Sequence, residues 1–238
     1  MSTCDRRHLT HKAVRSGVVS ALLLAISAPI HAQKGPPGWP ATVQGRLTAD
    51  AALHALSDQL LANDSATLVL DDWCAAHHLA AGAPKIVAER VRDGDHPIPD
   101  AIRTLLKVGP NEVVGYRHVR LRCGTHVLSD ADNWYVPARL TADINRQLDT
   151  TDIPFGRAAK PLQFRRFTLS SKHVWSPLPA NWMTLPRQQW PIMPNLDVPE
   201  TVLENRAVLL LPNGNPISAV IERYTGDVLA FLPPPTAR

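Results

Sequence analysis

The chain has 238 residues, with 25 Lys+Arg against 21 Asp+Glu, a formal net charge of +4, and 45% hydrophobic and 19% charged residues. That length suits one sizeable core, since a domain takes about 100–200 residues, and the composition excludes a disordered or collagen-like chain. Three cysteines are too few for a disulfide-framed mini-protein.

Residues 1–32 read as an export signal. Arg6, Arg7, Lys12 and Arg15 make a basic start, Gly17–Ile30 is apolar and uncharged, and Ile30-His31-Ala32 ends on a small residue suited to cleavage. The 14-residue apolar run is short for a hydrocarbon core of roughly 30 Å, so an uncleaved anchor is the alternative and stable membrane insertion is not expected after cleavage. Removing this segment takes away four basic residues and one acid, leaving 21 basic against 20 acidic residues, net +1. The basicity belongs mostly to the signal, and no Lys/Arg run with interleaved aromatics follows it, so nucleic acid is excluded as a partner. A periplasmic or secreted location is expected. Two cysteines then remain, Cys74 and Cys123. In an oxidising compartment they pair, or else they sit as two buried thiols.

A Pro/Gly-rich spacer, 33–47, precedes the domain, which is expected over 48–232 with a short tail at 233–238. Thr48 or Asp50 caps a first helix carrying Leu53, Leu56, Leu60 and Leu61 at helical spacing. Asn63-Asp64-Ser65 interrupts it, and a second amphipathic segment runs through Leu68, Val69, Trp73 and Cys74, with Asp71-Asp72 on a solvated side and Gly82 near its end. Lys85–Val91 is a short strand ended by the Asp93-Gly94 turn, and Pro97–Leu106 holds a turn and a brief helix. Val113–Cys123 alternates as a long strand. Asn133–Leu140, Gln163–Leu169, Ala207–Leu211 and Ile217–Tyr224 are further strands, with a hairpin turn at Asn213-Gly214 and a short helix capped by Thr141. The 177–199 stretch, with six prolines plus Trp182 and Trp190, is a long loop. Hairpin-linked strands with helices gathered mainly toward the N-terminal side predict an α+β single domain, an antiparallel sheet with helices packed mainly on one side.

Two charges stand in apolar strands. On a period of two, Val113, Gly115, Arg117, Val119, Leu121 and Cys123 share one face of the long strand, which puts the Arg117 guanidinium in the core. A buried charge needs an anionic partner, either a carboxylate of the protein or one brought by a ligand. In the last strand Glu222 lies on a largely apolar face with Ser218, Val220 and Tyr224, where its carboxyl rises in pKa unless a cation or donor meets it. Arg117 and Glu222 neutralise each other, or they hold two ends of a small anionic ligand.

Six stretches in order resemble the chorismate lyases, whose fold is shared by effector-binding domains of bacterial repressors. They are LLANDSATLVL with the strand of 85–92; Tyr116-Arg117-His118-Val119-Arg120-Leu121-Arg122-Cys123; Trp134-Tyr135-Val136-Pro137; Leu148 with Thr151-Asp152-Ile153-Pro154-Phe155-Gly156-Arg157; Arg206–Leu211; and Gly214-Asn215-Pro216 leading into Ile217–Tyr224. The resemblance covers 60–229. It implies a chorismate lyase-like α+β fold and elimination of pyruvate from chorismate, or a related enolpyruvyl or aromatic acid, to leave a 4-hydroxybenzoate-type product, with no metal and no cofactor. By the same resemblance Arg117 grips the ring carboxylate, the backbone N–H in the Phe155-Gly156 turn meets the ligand, and Glu222 serves the leaving oxygen as a general acid/base. The family's second arginine aligns with Asn133, which has donors but no charge. Arg139 replaces it only if a bulge turns it inward. The alternative is a non-catalytic module that binds a small aromatic carboxylic acid in the same pocket.

His77, His78, His96, His118, His126 and His173 lack the spacing of a metal site, so no metal is expected.

Overall fold

The computed structural model describes residues 38–82, 84–92 and 96–231. The export signal, the first part of the spacer, the Asp93-Gly94 turn and the 233–238 tail lie outside the described residues.

The first helix, α1 (Val43–Ala62), begins earlier than its leucine spacing predicts, because Thr42 rather than Thr48 or Asp50 caps it, its Oγ1 accepting from Gly45 N at 3.0 Å. The end of the expected spacer is therefore helical. Gly45 hid this: it costs helix propensity, yet a side chain there would run into the Pro40 carbonyl. Ser65 caps α2 (Ala66–Ala76). Then come β1 (Val87–Val91), α3 (Asp100–Leu106), β2 (Gly115–Cys123), β3 (His126–Tyr135), α4 (Ala142–Thr150), α5 (Phe155–Ala158), β4 (Arg165–His173), β5 (Thr201–Leu210) and β6 (Pro216–Thr225).

The six strands form one antiparallel sheet in the order β1-β2-β3-β6-β5-β4. The third strand differs from expectation. It ends at Tyr135, and Pro137–Arg139 is a 3-10 turn, so the strand expected over 133–140 is replaced by one starting at His126. Its alternating Asp130 and Asp132 disguised it. They point to the outer face, where Asp130 pairs with His118 and Arg120, and Asp132 accepts from Tyr116 Oη and Arg223.

One face of the sheet is covered by α1, α2, α4 and α5. Leu53, Leu56 and Leu60 of α1 and Val69, Leu70 and Trp73 of α2 pack over Val119, Leu121, Leu128 and Ala131, and a second cluster joins Ile144, Leu148 and Phe155 to Tyr135 and Leu209. Among the described helices only α3 lies on the other face, with Ile102 and Leu106 against Trp134 and Ala219. The fold is a single α+β domain with most of its helices on one side.

Cys74 of α2 and Cys123 of β2 are joined in a disulfide, with Cα atoms 6.2 Å apart. Asp71 is buried rather than solvated. Its carboxylate accepts twice from Arg157 Nη2 (2.9 and 2.7 Å) and once from Ile86 N (2.7 Å), so that α2, α5 and the approach to β1 meet on one acid.

The 177–199 loop follows a fixed course. Pro40 bridges to Asn195 and Trp190 is buried, whereas Trp182 is exposed. The buried Arg46 reaches from α1 to three backbone carbonyls, those of Ala41 (3.2 Å), Pro177 (2.6 Å) and Pro191 (3.2 Å). No carboxylate is involved.

Two outcomes follow from this packing. Replacing Cys74 and Cys123 by Ser opens a cross-link spanning 49 residues, worth about 4 kcal/mol in the chain-entropy account; urea unfolding reads the loss, and a thiol count on the unreduced protein finds both cysteines blocked. The second concerns His77, stacked on Phe231 and tilted against Trp73, with centroids at 3.9 and 4.1 Å. Burial, then the adjacent His78, holds its imidazole below the ordinary 6.5. The unfolded chain takes up this proton first, so the contribution is present above about pH 6.5 and lost as pH falls below it. The unfolding midpoint therefore drops between about pH 7 and about pH 5, and His77→Phe flattens part of that drop.

Candidate functional site

Between the covered face of the sheet and the helices above it lies a cavity of about 50 Å³. Its floor is Val119, Leu121, Ala131, Asn133, Val220 and Glu222, its roof is the start of α2 at Ser65–Thr67, and Phe155, Gly156, Phe164 and Leu209 close the sides. The register explains the floor. Asn133 faces Val220, and Ala131 faces Glu222, so the inward residues of β2, β3 and β6 meet in neighbouring rows. Gly156 lets the roof approach α5, since a Cβ there would lie 2.6 Å from Ser65 Oγ.

Four of the residues singled out in the sequence thus meet around one space: Asn133, Phe155, Gly156 and Glu222. Asn133 accepts from Ser218 Oγ at 2.6 Å, and the Phe155 ring packs beside Tyr135 at 5.8 Å. Arg117 is not in the lining. It lies directly across the ladder from Asn133 and two residues from Val119, at the border of the cavity, and is 3% exposed.

Among the described residues Arg117 also lacks the carboxylate that its burial was expected to bring. Its terminal nitrogens donate to the Ile153 carbonyl at 3.3 and 3.4 Å, and its Nε has no acceptor. Burial, then the nearby Arg90 cation, pushes the guanidinium below its usual range, opposed by Tyr135, Asp149 and Asp152. Arg117 and Glu222 do not neutralise each other: Glu222 lies across β3 from Val119, one inward row beyond Arg117, and its carboxylate is held by another cation.

Glu222 has a different cation. Arg166 of the edge strand β4 crosses β5 to grip it at both oxygens (3.2 and 2.5 Å), and Tyr224 Oη donates at 3.0 Å. Burial alone would lower Arg166, but the Glu222 carboxylate outweighs it and drives the guanidinium above its usual range. Tyr224, fully buried, is raised well above its ordinary value by desolvation and by Glu222. Arg166 is not among the residues that the sequence pattern singles out, its strand carrying the apolar Phe167 and Leu169 on either side of Thr168. In the fold Phe167 and Leu169 are 61% and 45% exposed while the Arg166 side chain is 3% exposed. The signal that could have found it is Glu222 itself, a buried acid that requires a cation on a nearby strand.

Arg139 does not replace the second arginine. It donates to the carbonyls of Leu106 and Pro216 at 2.6 and 2.7 Å and pairs with Glu112 at 2.8 Å, fastening α3 instead. Among the described residues no group of three or more metal-ligating side chains occurs, and no helix is long and apolar enough to cross a membrane.

Over 200 residues the chain is 52% identical to "Uncharacterized protein y4mC" of Sinorhizobium fredii, covering 82% of this chain and 83% of that one. The chain belongs to the y4mC family. No protein-family model matches this y4mC-family chain. Among solved structures it is similar to the Bacillus subtilis trehalose repressor effector-binding domain (12% identity, TM-score 0.35, 64% of this chain and 97% of that one) and to PhnF from Mycobacterium smegmatis (13%, 0.41, 65% and 64%). A GntR-family transcriptional regulator from Enterococcus faecalis is similar at 11% identity and a TM-score of 0.37, over 58% of this chain and 93% of that one. The y4mC-family chain spans just under two thirds of the PhnF chain.

The ion pair beneath the cavity yields a test. Arg166→Met leaves Glu222 buried without its cation, a loss of about 3–5 kcal/mol in unfolding free energy. The double variant Arg166→Met/Glu222→Met recovers most of that loss, because two apolar side chains of similar volume replace the pair. Urea titrations of the single and double variants measure both.

Proposed function

We propose that this y4mC-family protein is a small-molecule-binding module whose internal cavity takes a single-ring carboxylic acid, with Arg117 as the grip for the carboxylate. The observation that carries the reading is Arg117 itself, a buried cation that has, among the described residues, no carboxylate partner and no acceptor for its Nε. Such a group is costly unless an anion meets it, and an arginine fork suits a carboxylate. Asn133, opposite Arg117, supplies a neutral polar group at the same end of the cavity, and Phe155, Phe164, Val119 and Leu121 give an apolar waist suited to a ring.

The cavity of about 50 Å³ has room for no more than a few waters. The ligand therefore enters by widening it, with selection of a more open conformation before or during binding.

A finer reading has Glu222 promoting elimination of pyruvate from chorismate. It asks for a carboxyl oxygen able to meet the substrate, and both Glu222 oxygens already accept from Arg166, one also from Tyr224. The second charge of chorismate would also face Asn133 rather than an arginine. Binding without turnover is the better supported of the two.

We also infer that the protein works outside the cytoplasm. The three-zone start of the sequence and the Cys74–Cys123 bridge both suit export into an oxidising compartment.

The test is calorimetry and thermal melting with 4-hydroxybenzoate and chorismate, beside a pyruvate assay. A ligand at about 100 times its Kd adds about 2.7 kcal/mol, or about 5–10 °C in Tm for a domain of this size. Arg117→Gln is expected to remove that shift while keeping the melting transition cooperative. Unshifted melting across benzoate-type acids refutes the binding reading, and pyruvate release from chorismate refutes the claim of no turnover.

A further inference from the structure

We propose that ligands reach the buried cavity through a slit between the α1–α2 turn and the start of β4, gated by Phe164 and served by Lys160 as an outer subsite for anions. The inference rests on the reading of the cavity as a carboxylate site and adds its route and an additional recognition residue.

A surface groove of about 290 Å³ lies outside the cavity, bordered by Asn63, Leu68, Lys160 and Gln163. Groove and cavity share four wall residues: Asp64, Ser65, Gly156 and Phe164. One thin partition therefore separates solvent from the interior. Elsewhere the cavity is bounded by the sheet, whose ladders would have to break, and by the packed starts of α2 and α5 at Ala66, Thr67 and Phe155, so this partition is the least costly wall to move.

Each part of the partition has a stated hold. Gln163 is a non-glycine residue in the left-handed region (φ 53°, ψ 38°), and it turns the chain so that Phe164, next in sequence, is buried in the wall. Across the slit the exposed Asp64 accepts from Arg166 N at 2.9 Å. That hydrogen bond joins the two lips. Arg165, which follows Phe164, is already on the solvent side, so opening exposes chiefly the Phe164 ring.

Lys160 is exposed on the groove and makes no ion pair among the described residues. A cation at the mouth of a partly desolvated channel raises the encounter rate of an anion and loses its effect as salt rises. Lys160 offers an anion its first cation on a path to the buried Arg117, while the other charge of the mouth, the Asp64 carboxylate, is engaged by Arg166 N.

Stopped-flow mixing of the protein with 4-hydroxybenzoate tests this. Asp64→Ala is expected to raise kon and koff together, by about tenfold, with Kd changing far less than either rate, whereas Phe164→Ala, which also removes a wall of the ring pocket, is expected to raise kon about tenfold and koff by more. Lys160→Glu is expected to lower kon about tenfold at low ionic strength with koff unchanged, the difference closing at high salt. Binding with kon unaltered in all three variants overturns the route while leaving the cavity as a binding site. Failure of the wild-type protein to bind at all overturns the binding reading, and the route with it.

Discussion

The interaction on which the interior depends is the Arg166–Glu222 pair. It crosses three strands, from the edge strand β4 over β5 to β6, at the centre of the covered face. Neither charge alone is tolerable there, because a buried ion without a partner costs several kcal/mol. Together, and with Tyr224 completing the carboxylate's contacts, they hold the outermost strand against the middle of the sheet and form part of the cavity floor. The same arginine's backbone N–H holds Asp64, so one residue links the floor to the turn above it.

Much of this architecture was legible in the residues. Alternation in 113–123 gave the long strand and the inward direction of Arg117, and the apolar context of the last strand placed Glu222 inside. Helix α2 and the Asn213-Gly214 turn follow from spacing and turn chemistry. What failed did so where a local signal was overruled from afar. Asp71 looked solvated beside Asp72, yet Arg157, 86 positions away, draws it inside. Arg166 gave no signal of its own beside Phe167 and Leu169, yet Glu222, 56 positions away, holds it inside. The sequence of β3 concealed a strand because its aspartates serve partners on β2 and β6.

Arg117 and Glu222 illustrate how far periodicity reaches. It identifies two charges that should not be alone in a core, and it cannot say which residues answer them. Glu222 is answered within the chain. Arg117 is answered only by a carbonyl, which satisfies its hydrogen-bonding geometry in part and its charge not at all. This asymmetry, rather than the cavity's present size, distinguishes the site from an ordinary packing defect.

The grip of Arg46 on the 177–199 loop has a consequence for how such proteins diverge. All three of its acceptors are main-chain carbonyls, which every residue type supplies. The anchor therefore senses the path of the loop and is blind to its side chains. Substitutions that preserve the prolines and the buried Trp190 leave the attachment intact, so the exposed Trp182, Met183, Ile192 and Met193 are free to drift between relatives without loosening the domain. This loop can accumulate sequence change on a scaffold whose geometry stays constant.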